Sequence, residues 1–181
     1  MAKRSPRTAG APIDVQRDAV FDATHAYRYR LSRVWDSALP TACFIMLNPS
    51  VADALVDDPT IRRCIGFART WGYGALDVVN LFAYRATEPR VLAEVADPVG
   101  PMNDAHILRA LGGSALVVVA WGCHGSLRGR ADDVAALLGV REHVHHLGWT
   151  RDGQPRHPLY LRKDIVPSQL DGGMSRSIGR K

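Results

Sequence analysis

Residues 43–50 read Cys-Phe-Ile-Met-Leu-Asn-Pro-Ser, and they predict the central strand of the fold. The four consecutive apolar residues from Phe44 to Leu47 predict a strand that is buried on both faces, as strands of parallel sheets are. Pro49 lacks an N–H and cannot continue a central strand, and it favours an extended or turn conformation at Asn48. A polar side chain is therefore expected where a buried strand ends, at the edge of the sheet where α/β proteins bind ligands.

Two further apolar runs predict strands beside the first one. Val78–Leu81 and Leu116–Ala120 are apolar apart from one asparagine, and helical patterns separate the three runs. We therefore expect three neighbouring parallel strands in one sheet. Tyr27, Tyr29 and Leu31 alternate with polar residues, which predicts a half-buried strand with these three side chains on one face.

Helices are predicted between the strands. Asp58 is suited to cap a helix that begins at Pro59, since proline is favoured at the first helical position. Further helices are expected at 103–111 and 130–138, and a last short strand at 144–148. Strands that alternate with helices at this spacing predict an α/β sheet with helices on both faces.

Length and composition predict one domain with a substantial core: the chain has 181 residues, of which 46% are hydrophobic and 23% charged. We expect a disordered basic N-terminus over 1–12, a single α/β domain over 13–167 and a flexible tail over 168–181. No apolar run is long enough to span a membrane, and three scattered cysteines form no disulfide framework, so we expect a cytoplasmic protein. The net charge of +5 permits a polyanionic partner without requiring one.

Four polar residues follow predicted strands: Asn48, Asn80, His124 and His157. An asparagine carries two donors and an acceptor, so it can orient a water or read the edge of an amide-like ring. A nearby histidine can donate to a developing anion. Each residue also has a structural interpretation, as a turn-former or a solvated loop residue. Because parallel strands end at one edge, we expect Asn48, Asn80 and His157 to converge on one pocket.

A planar ligand would need an apolar or aromatic wall in that pocket, and the candidates are Phe82, Tyr84 and Tyr160. A phosphate backbone crossing the pocket would be bound by cations from several loops. The candidates for that role are Arg62, Arg63, Arg85, Arg128 and Arg130.

Two further interpretations of the sequence are a metal site and a thiol nucleophile. Asp53, Asp57 and Asp58 could ligate a cation, but acidic residues at the start of a helix are explained by capping and by the helix dipole. Cys123 beside His124 is compatible with a thiol nucleophile. We expect no metal and no cofactor.

From Tyr27 to Tyr160 the chain resembles a bacterial family of unassigned function, domain of unknown function 1643. The stretches that carry this resemblance are 46–50 (Met-Leu-Asn-Pro-Ser), 57–64 (Asp-Asp-Pro-Thr-Ile-Arg-Arg-Cys), 80–83 (Asn-Leu-Phe-Ala), 97–101 (Asp-Pro-Val-Gly-Pro), 121–122 (Trp-Gly) and 157–160 (His-Pro-Leu-Tyr).

The order of motifs is also similar, more distantly, to that of the uracil-DNA glycosylase superfamily. Residues 47–50 (Leu-Asn-Pro-Ser) resemble the first motif of its mismatch-specific branch, and 78–80 (Val-Val-Asn) resemble a later strand ending in asparagine. Residues 117–122 resemble an apolar strand ending in Trp-Gly. His157 and Pro158 match the first two positions of a late His-Pro-Ser loop, in which Leu159 replaces the serine here.

This second resemblance implies a three-layer α/β/α fold with a mainly parallel central sheet, and it implies roles for residues. Asn48 would position the attacking water, Asn80 would read the base, and His157 would stabilise the departing base. Ser50 and Trp121 lie in the same motifs and are expected to contact the substrate.

These observations predict a nucleobase-recognising protein that acts on DNA or a nucleotide, with hydrolysis of an N-glycosidic bond as its reaction. A flipped base would enter the pocket. The alternative is a non-catalytic module that binds nucleic acid or modified nucleotides. A third interpretation is a hydrolase that uses Cys123 or His124.

Overall fold

The computed structural model describes residues 15–50, 52–139 and 141–170, and these residues form one seven-stranded mixed sheet with helices on both faces. The strands are β1 Gln16–Phe21, β2 Arg28–Val34, β3 Thr41–Met46, β4 Ala75–Asn80, β5 Leu116–Val119, β6 Val144–His146 and β7 Ser168–Gln169. The helices are α1 Pro59–Thr70, α2 Val91–Glu94, α3 Asn103–Gly113 and α4 Arg130–Leu138, with 3₁₀ segments at Cys123–Gly129 and Pro158–Tyr160. None of these described helices is long and apolar enough to cross a membrane.

The predicted neighbouring parallel strands are confirmed at the centre of the sheet. The strand order is β1-β2-β4-β3-β5-β6-β7, and β4, β3, β5 and β6 run parallel to one another. In the register of β3 and β4, Phe44 lies opposite Val78 and Met46 lies opposite Asn80. The two strands therefore end level with each other, and the pairing extends past them, since the Leu81 and Phe82 N–H groups donate to the Met46 and Leu47 carbonyls.

Alternate residues of the central strands face different helices, as the period of two requires. Cys43 and Ile45 belong to the core cluster that contains α3 and α4, whereas Phe44 and Met46 belong to the cluster that contains α1. The sheet is thus covered on both faces, which explains why its central strands are apolar along their whole length. The α/β fold with helices on both faces is confirmed.

One prediction about strand β2 is wrong. Tyr29 stacks on His106 of α3, with ring centroids 5.0 Å apart, but Leu31 packs in the core on the α1 face. The cause is a register shift opposite Val20 and Phe21, a β-bulge that adds one residue to β2. The bulge breaks the strict alternation, so Tyr29 and Leu31 point to opposite faces of the sheet.

The sheet continues past residue 167, into the segment 168–181 that is predicted to be a flexible tail. Ser168 and Gln169 pair antiparallel with His146 and His145, and the Leu170 N–H donates to the Val144 carbonyl at 2.8 Å. The predicted N-terminal segment 1–12 and the remainder of the predicted tail, 171–181, lie outside the described residues.

A buried ion pair anchors the loop that leads into α1. The Arg33 side chain is fully buried, and its Nε donates to the Asp57 carboxylate at 2.8 Å. Two more of its nitrogens donate to the carbonyls of Asp53 and Ser32 at 2.6 and 2.8 Å. Strand β2 therefore holds the loop from residue 53 to residue 57, and with it the start of α1.

We predict that Asp57→Ala lowers the free energy of unfolding by about 3 kcal/mol, because it leaves the buried Arg33 cation without its carboxylate. Chemical denaturation measures this value. Asp164→Ala is the matched control, because it removes an exposed carboxylate from a surface pair with Arg162, and it should change stability by no more than about 0.5 kcal/mol. Equal effects of the two substitutions would show that Arg33 does not depend on its partner.

Candidate active site at the carboxyl ends of the central strands

A cavity of about 310 Å³ lies where β3, β4 and β5 end and α1 begins. This volume is at the lower end of the range for small-molecule sites, and it suits a ligand of one ring or a few. Its apolar lining comes from both core clusters: Met46, Ile61 and Val78 from the α1 side, and Leu47 and Trp121 from the other. The cavity is therefore located at the sheet edge that the sequence predicts.

Six of the residues that the sequence predicts for the site line this cavity. They come from four separate stretches of the chain, namely the ends of β3, β4 and β5 and the loop before residue 158. The predicted residues that line it are Asn48, Ser50, Asn80, Trp121, His124 and His157. The structure thus brings together residues that lie more than a hundred positions apart in the sequence.

The Asn48 amide is held by hydrogen bonds to the backbone. Its Nδ2 donates to the Ala86 carbonyl at 2.6 Å and to the Pro49 carbonyl at 3.0 Å. The Ala86 N–H donates in turn to the Pro49 carbonyl at 3.0 Å, so the loops after β3 and β4 are joined. Since both amide hydrogens are engaged, Oδ1 is the Asn48 atom left to accept a hydrogen bond from a ligand or a water.

The Asn80 amide, unlike that of Asn48, has an unpaired donor. The residue is only 1% exposed, yet its Nδ2 has no hydrogen-bond partner among the described residues. A buried amide donor without a partner costs about 1–3 kcal/mol, so native proteins rarely keep one without a reason. Asn80 lines the cavity, and a ligand acceptor placed there would satisfy it.

His157 is a neutral hydrogen-bond donor in this site. Its Nδ1 accepts from the Leu159 N–H at 3.3 Å, which places the proton of the neutral ring on Nε2. Burial lowers the pKa of His157 below its ordinary value of 6.5, and the Asp58 carboxylate opposes that shift only in part. Gly122 has a φ of +79°, and a Cβ there would lie 3.4 Å from the His157 Cβ. A glycine is therefore favoured beside the histidine.

Trp121 is the aromatic residue that lines the cavity. Its Nε1 donates to the Gln154 side-chain oxygen at 2.8 Å in a buried hydrogen bond. A Cβ at Gly125 would come within 2.2 Å of the indole, so no larger residue fits there without displacing the ring. These two contacts fix the orientation of the indole beside the ligand space.

The three predicted wall residues are placed elsewhere. Phe82 is fully buried in the core on the α3 and α4 side, and Tyr160 is 90% exposed. Tyr84 lines a shallow neighbouring pocket together with His25 and Arg85. The lining of the cavity includes none of the three, and Trp121 stands there instead.

The five predicted phosphate-binding arginines do not line the cavity either. Arg62 and Arg63 lie on the outer surface of α1, where Arg63 contacts the Leu161 carbonyl and the Phe67 ring. Arg128 donates to three carbonyls at the end of α2, and the buried Arg130 donates to the Leu81 carbonyl and to Asp104.

Sequence reasoning missed several polar residues of the cavity, above all Arg28 and Asp58. Asp58 caps α1 as predicted, and its Oδ1 accepts a hydrogen bond from the Ile61 N–H at 2.8 Å. Asp58 lines the cavity because the start of α1 lies in space beside the end of β3. Thr60 and Thr87 also line the cavity. Nothing in the sequence pattern singles out Arg28, because the bulge in β2 determines which way it faces.

The cysteines and the possible metal ligands of the described residues offer few candidates for catalysis. Burial raises the pKa of the Cys43 and Cys64 thiols, both of which lie in the core. Cys123 is exposed and lines the cavity next to His124. Within the described ranges, no group of three or more His, Cys, Asp or Glu residues is arranged to hold a metal ion.

Comparison with known proteins establishes the family. The sequence profile described as "Protein of unknown function (DUF1643)" matches residues 28–159, and the chain belongs to this family. Searches of the curated proteins and of the solved structures gave no match. The matched region begins at Arg28 and includes every residue that lines the cavity.

We predict that His157 titrates with a pKa below 6.5, because its burial disfavours the imidazolium. The unfolded chain then binds more protons than the folded one just below pH 6.5. The stability contributed by the neutral ring is complete above that pH and decreases as the pH falls towards the lowered pKa. An NMR titration measures the value, and the resonance is assigned by its loss in His157→Gln. Titration at 6.5 or above would contradict the burial of this ring.

Proposed function

We propose that the cavity binds the nucleobase of a nucleotide or of DNA and that the protein hydrolyses the N-glycosidic bond of that ligand. The observation that carries the proposal is the unpaired, buried amide donor of Asn80 at a cavity of nucleobase size. The motif resemblance to the uracil-DNA glycosylase superfamily supports the same conclusion, since its functional residues correspond to Asn48, Asn80 and His157.

Base recognition is assigned to Asn80 and Trp121. An asparagine side chain presents a donor and an acceptor in one plane, which matches the donor and acceptor pattern on the edge of a base. The Trp121 indole, fixed by Gln154, supplies a flat apolar surface for the ring. The Trp121 indole is held by its hydrogen bond, and the backbone of Asn80 is held in β4.

The hydrolytic step is assigned to Asn48, Asp58 and His157. Asn48 Oδ1 accepts a hydrogen bond from a water and aims it at the anomeric sugar carbon. The C–O bond forms as the C–N bond breaks, and the bonding electron pair leaves with the base. The water proton passes to the Asp58 carboxylate, and the neutral His157 Nε2–H donates to the base oxygen on which negative charge develops.

One observation favours a second candidate, a binding module without catalysis. The Asn48 amide joins two loops through Ala86 and Pro49, and this structural role is by itself a sufficient reason for an asparagine at position 48. A pure binding module would then keep Asn80 for recognition and have no use for a positioned water. The two candidates differ in the effect of changing Asn48.

The test is a product screen with oligonucleotides that carry uracil, mismatched or modified bases, alongside free nucleosides and nucleotides. Release of a free base is the expected product. We predict that Asn48→Ala lowers turnover by about 100-fold or more while ligand binding is retained, and retained binding also shows that the variant folds. Asn80→Ala should weaken binding itself.

Cys123→Ser serves as the matched control, because it alters the cavity lining without touching the assigned groups. The turnover of this variant should stay within about twofold of that of the wild-type protein. If the Cys123 thiol were the nucleophile, the substitution would abolish turnover. Binding without base release across the whole screen would favour the binding module. Base release that survives Asn48→Ala would reject the assigned role of that residue.

A further inference from the structure

Arg28 is a buried cation that lines the cavity. It is the first residue of β2 and is only 3% exposed. The β-bulge lies directly beside it, since Phe21 pairs with Arg28 where an uninterrupted register would pair it with Tyr29. Bulges next to binding sites commonly turn a side chain in a new direction, and here Arg28 faces the same cavity as Asn80.

This arginine has no acidic partner among the described residues, unlike the two other buried arginines. Arg33 pairs with Asp57, and Arg130 pairs with Asp104. Of the Arg28 nitrogens, Nη1 donates to the Ala52 carbonyl and Nε has no partner in the described part of the chain. Asp58 lines the same cavity, but no ion pair joins it to Arg28.

Burial without a partner is costly for a charge, and buried charges in native proteins are normally paired. The loss of solvation lowers the pKa of Arg28 to about 10, so the guanidinium is still cationic at neutral pH. The neighbouring Arg33 and Arg85 add to the positive field, while Asp58 and Asp53 offset it in part. An anionic group from outside the chain would remove this cost.

We infer that Arg28 binds a phosphate group of the ligand, so that the substrate class is a nucleotide or a nucleic-acid strand and not a free nucleoside. This inference rests on the proposed function for the nature of the ligand, because phosphate is the anionic group that nucleobase compounds carry. The planar guanidinium presents parallel N–H donors that match two phosphate oxygens. Asn80 and Arg28 then divide recognition between base and phosphate.

The test compares binding of matched pairs, deoxyuridine with its 5′-monophosphate and adenosine with its 5′-monophosphate, by calorimetry. Inorganic phosphate and a short single-stranded oligonucleotide form two further arms. In the wild-type protein the phosphorylated member of at least one pair should bind about 10- to 100-fold more tightly than its nucleoside. Tighter binding of the oligonucleotide than of the monophosphate assigns the phosphate to a strand, and the reverse order assigns it to a free nucleotide.

Arg28→Gln should abolish the preference for the phosphorylated member and leave nucleoside affinity within about twofold. Arg162→Gln is the matched control, since it removes the same charge from an exposed side chain paired with Asp164, and it should keep the preference. A preference that survives Arg28→Gln, or nucleotides that bind no more tightly than nucleosides, would overturn the inference while leaving the proposed function standing.

The melting temperature of an Arg28 variant distinguishes a ligand-binding arginine from one that supports the fold. Arg28→Met should leave the melting temperature of the ligand-free protein unchanged or raise it, because it removes an unpaired buried charge. A large decrease would show that Arg28 supports the fold and would overturn the inference. Phosphate that stabilises the wild-type protein but not Arg28→Met, with no nucleoside or nucleotide bound, would refute the proposed function and uphold the anion site. An absence of binding in every arm would overturn the inference.

Discussion

The parallel pairing of β3 with β4 is the constraint from which the site follows. Met46 lies opposite Asn80, and the ladder continues one step beyond, where the Leu81 N–H donates to the Met46 carbonyl. Pro49 prevents β3 from running further, so the chain must turn at Asn48. The connection to β4 then brings α1 back across one face of the sheet, and its first turn lies over the same strand ends. The cavity is the space that remains between them.

Two side chains at this cavity depart from the rule that buried polar groups are paired, and the contrast with their neighbours is informative. Asn103 is as buried as Asn80, but its Nδ2 donates to the carbonyls of Asn80 and Leu81 at 3.0 and 2.9 Å. Arg33 likewise has an acidic partner that Arg28 lacks. Other buried polar atoms also lack a partner, among them Nε of Arg30 and Oδ1 of Asn103, but their residues do not line this cavity. Asn80 and Arg28 differ from them because their unpaired donors occur at one shared cavity, where a ligand could pair with both.

The loops that carry the site are tied to one another through the backbone. Asn48 holds the loop after β3 to Ala86 in the loop after β4, and the Gly122 N–H donates to the Pro155 carbonyl at 2.8 Å. The segment that carries His157 is thereby fixed next to the end of β5. Functional groups on restrained loops lose little entropy on binding, and this arrangement suits both recognition and the positioning of a water.

The central architecture and the position of the cavity follow from local patterns in the sequence. Apolar runs bounded by turn residues predict buried parallel strands, and strands that run parallel must deliver their final residues to one edge. That is why Asn48 and Asn80 could be grouped without a structure, whereas His157 reaches the cavity from a loop that follows β6 and precedes the 3₁₀ segment Pro158–Tyr160. The start of α1 could be predicted equally well, because a capping Asp58 and the proline that follows it depend only on adjacent residues.

Which other side chains reach the cavity depends on tertiary packing. Beyond a strand end the period of two no longer applies, so nothing local distinguishes Trp121, which lines the cavity, from Phe82, which turns into the core. Arginines are still harder to place, since a long side chain is positioned by whatever carbonyl or carboxylate it meets, as Arg128 and Arg130 show. The orientation of Arg28 depends on one extra residue in β2, and a bulge is defined by pairing with another strand, which no single stretch of sequence contains.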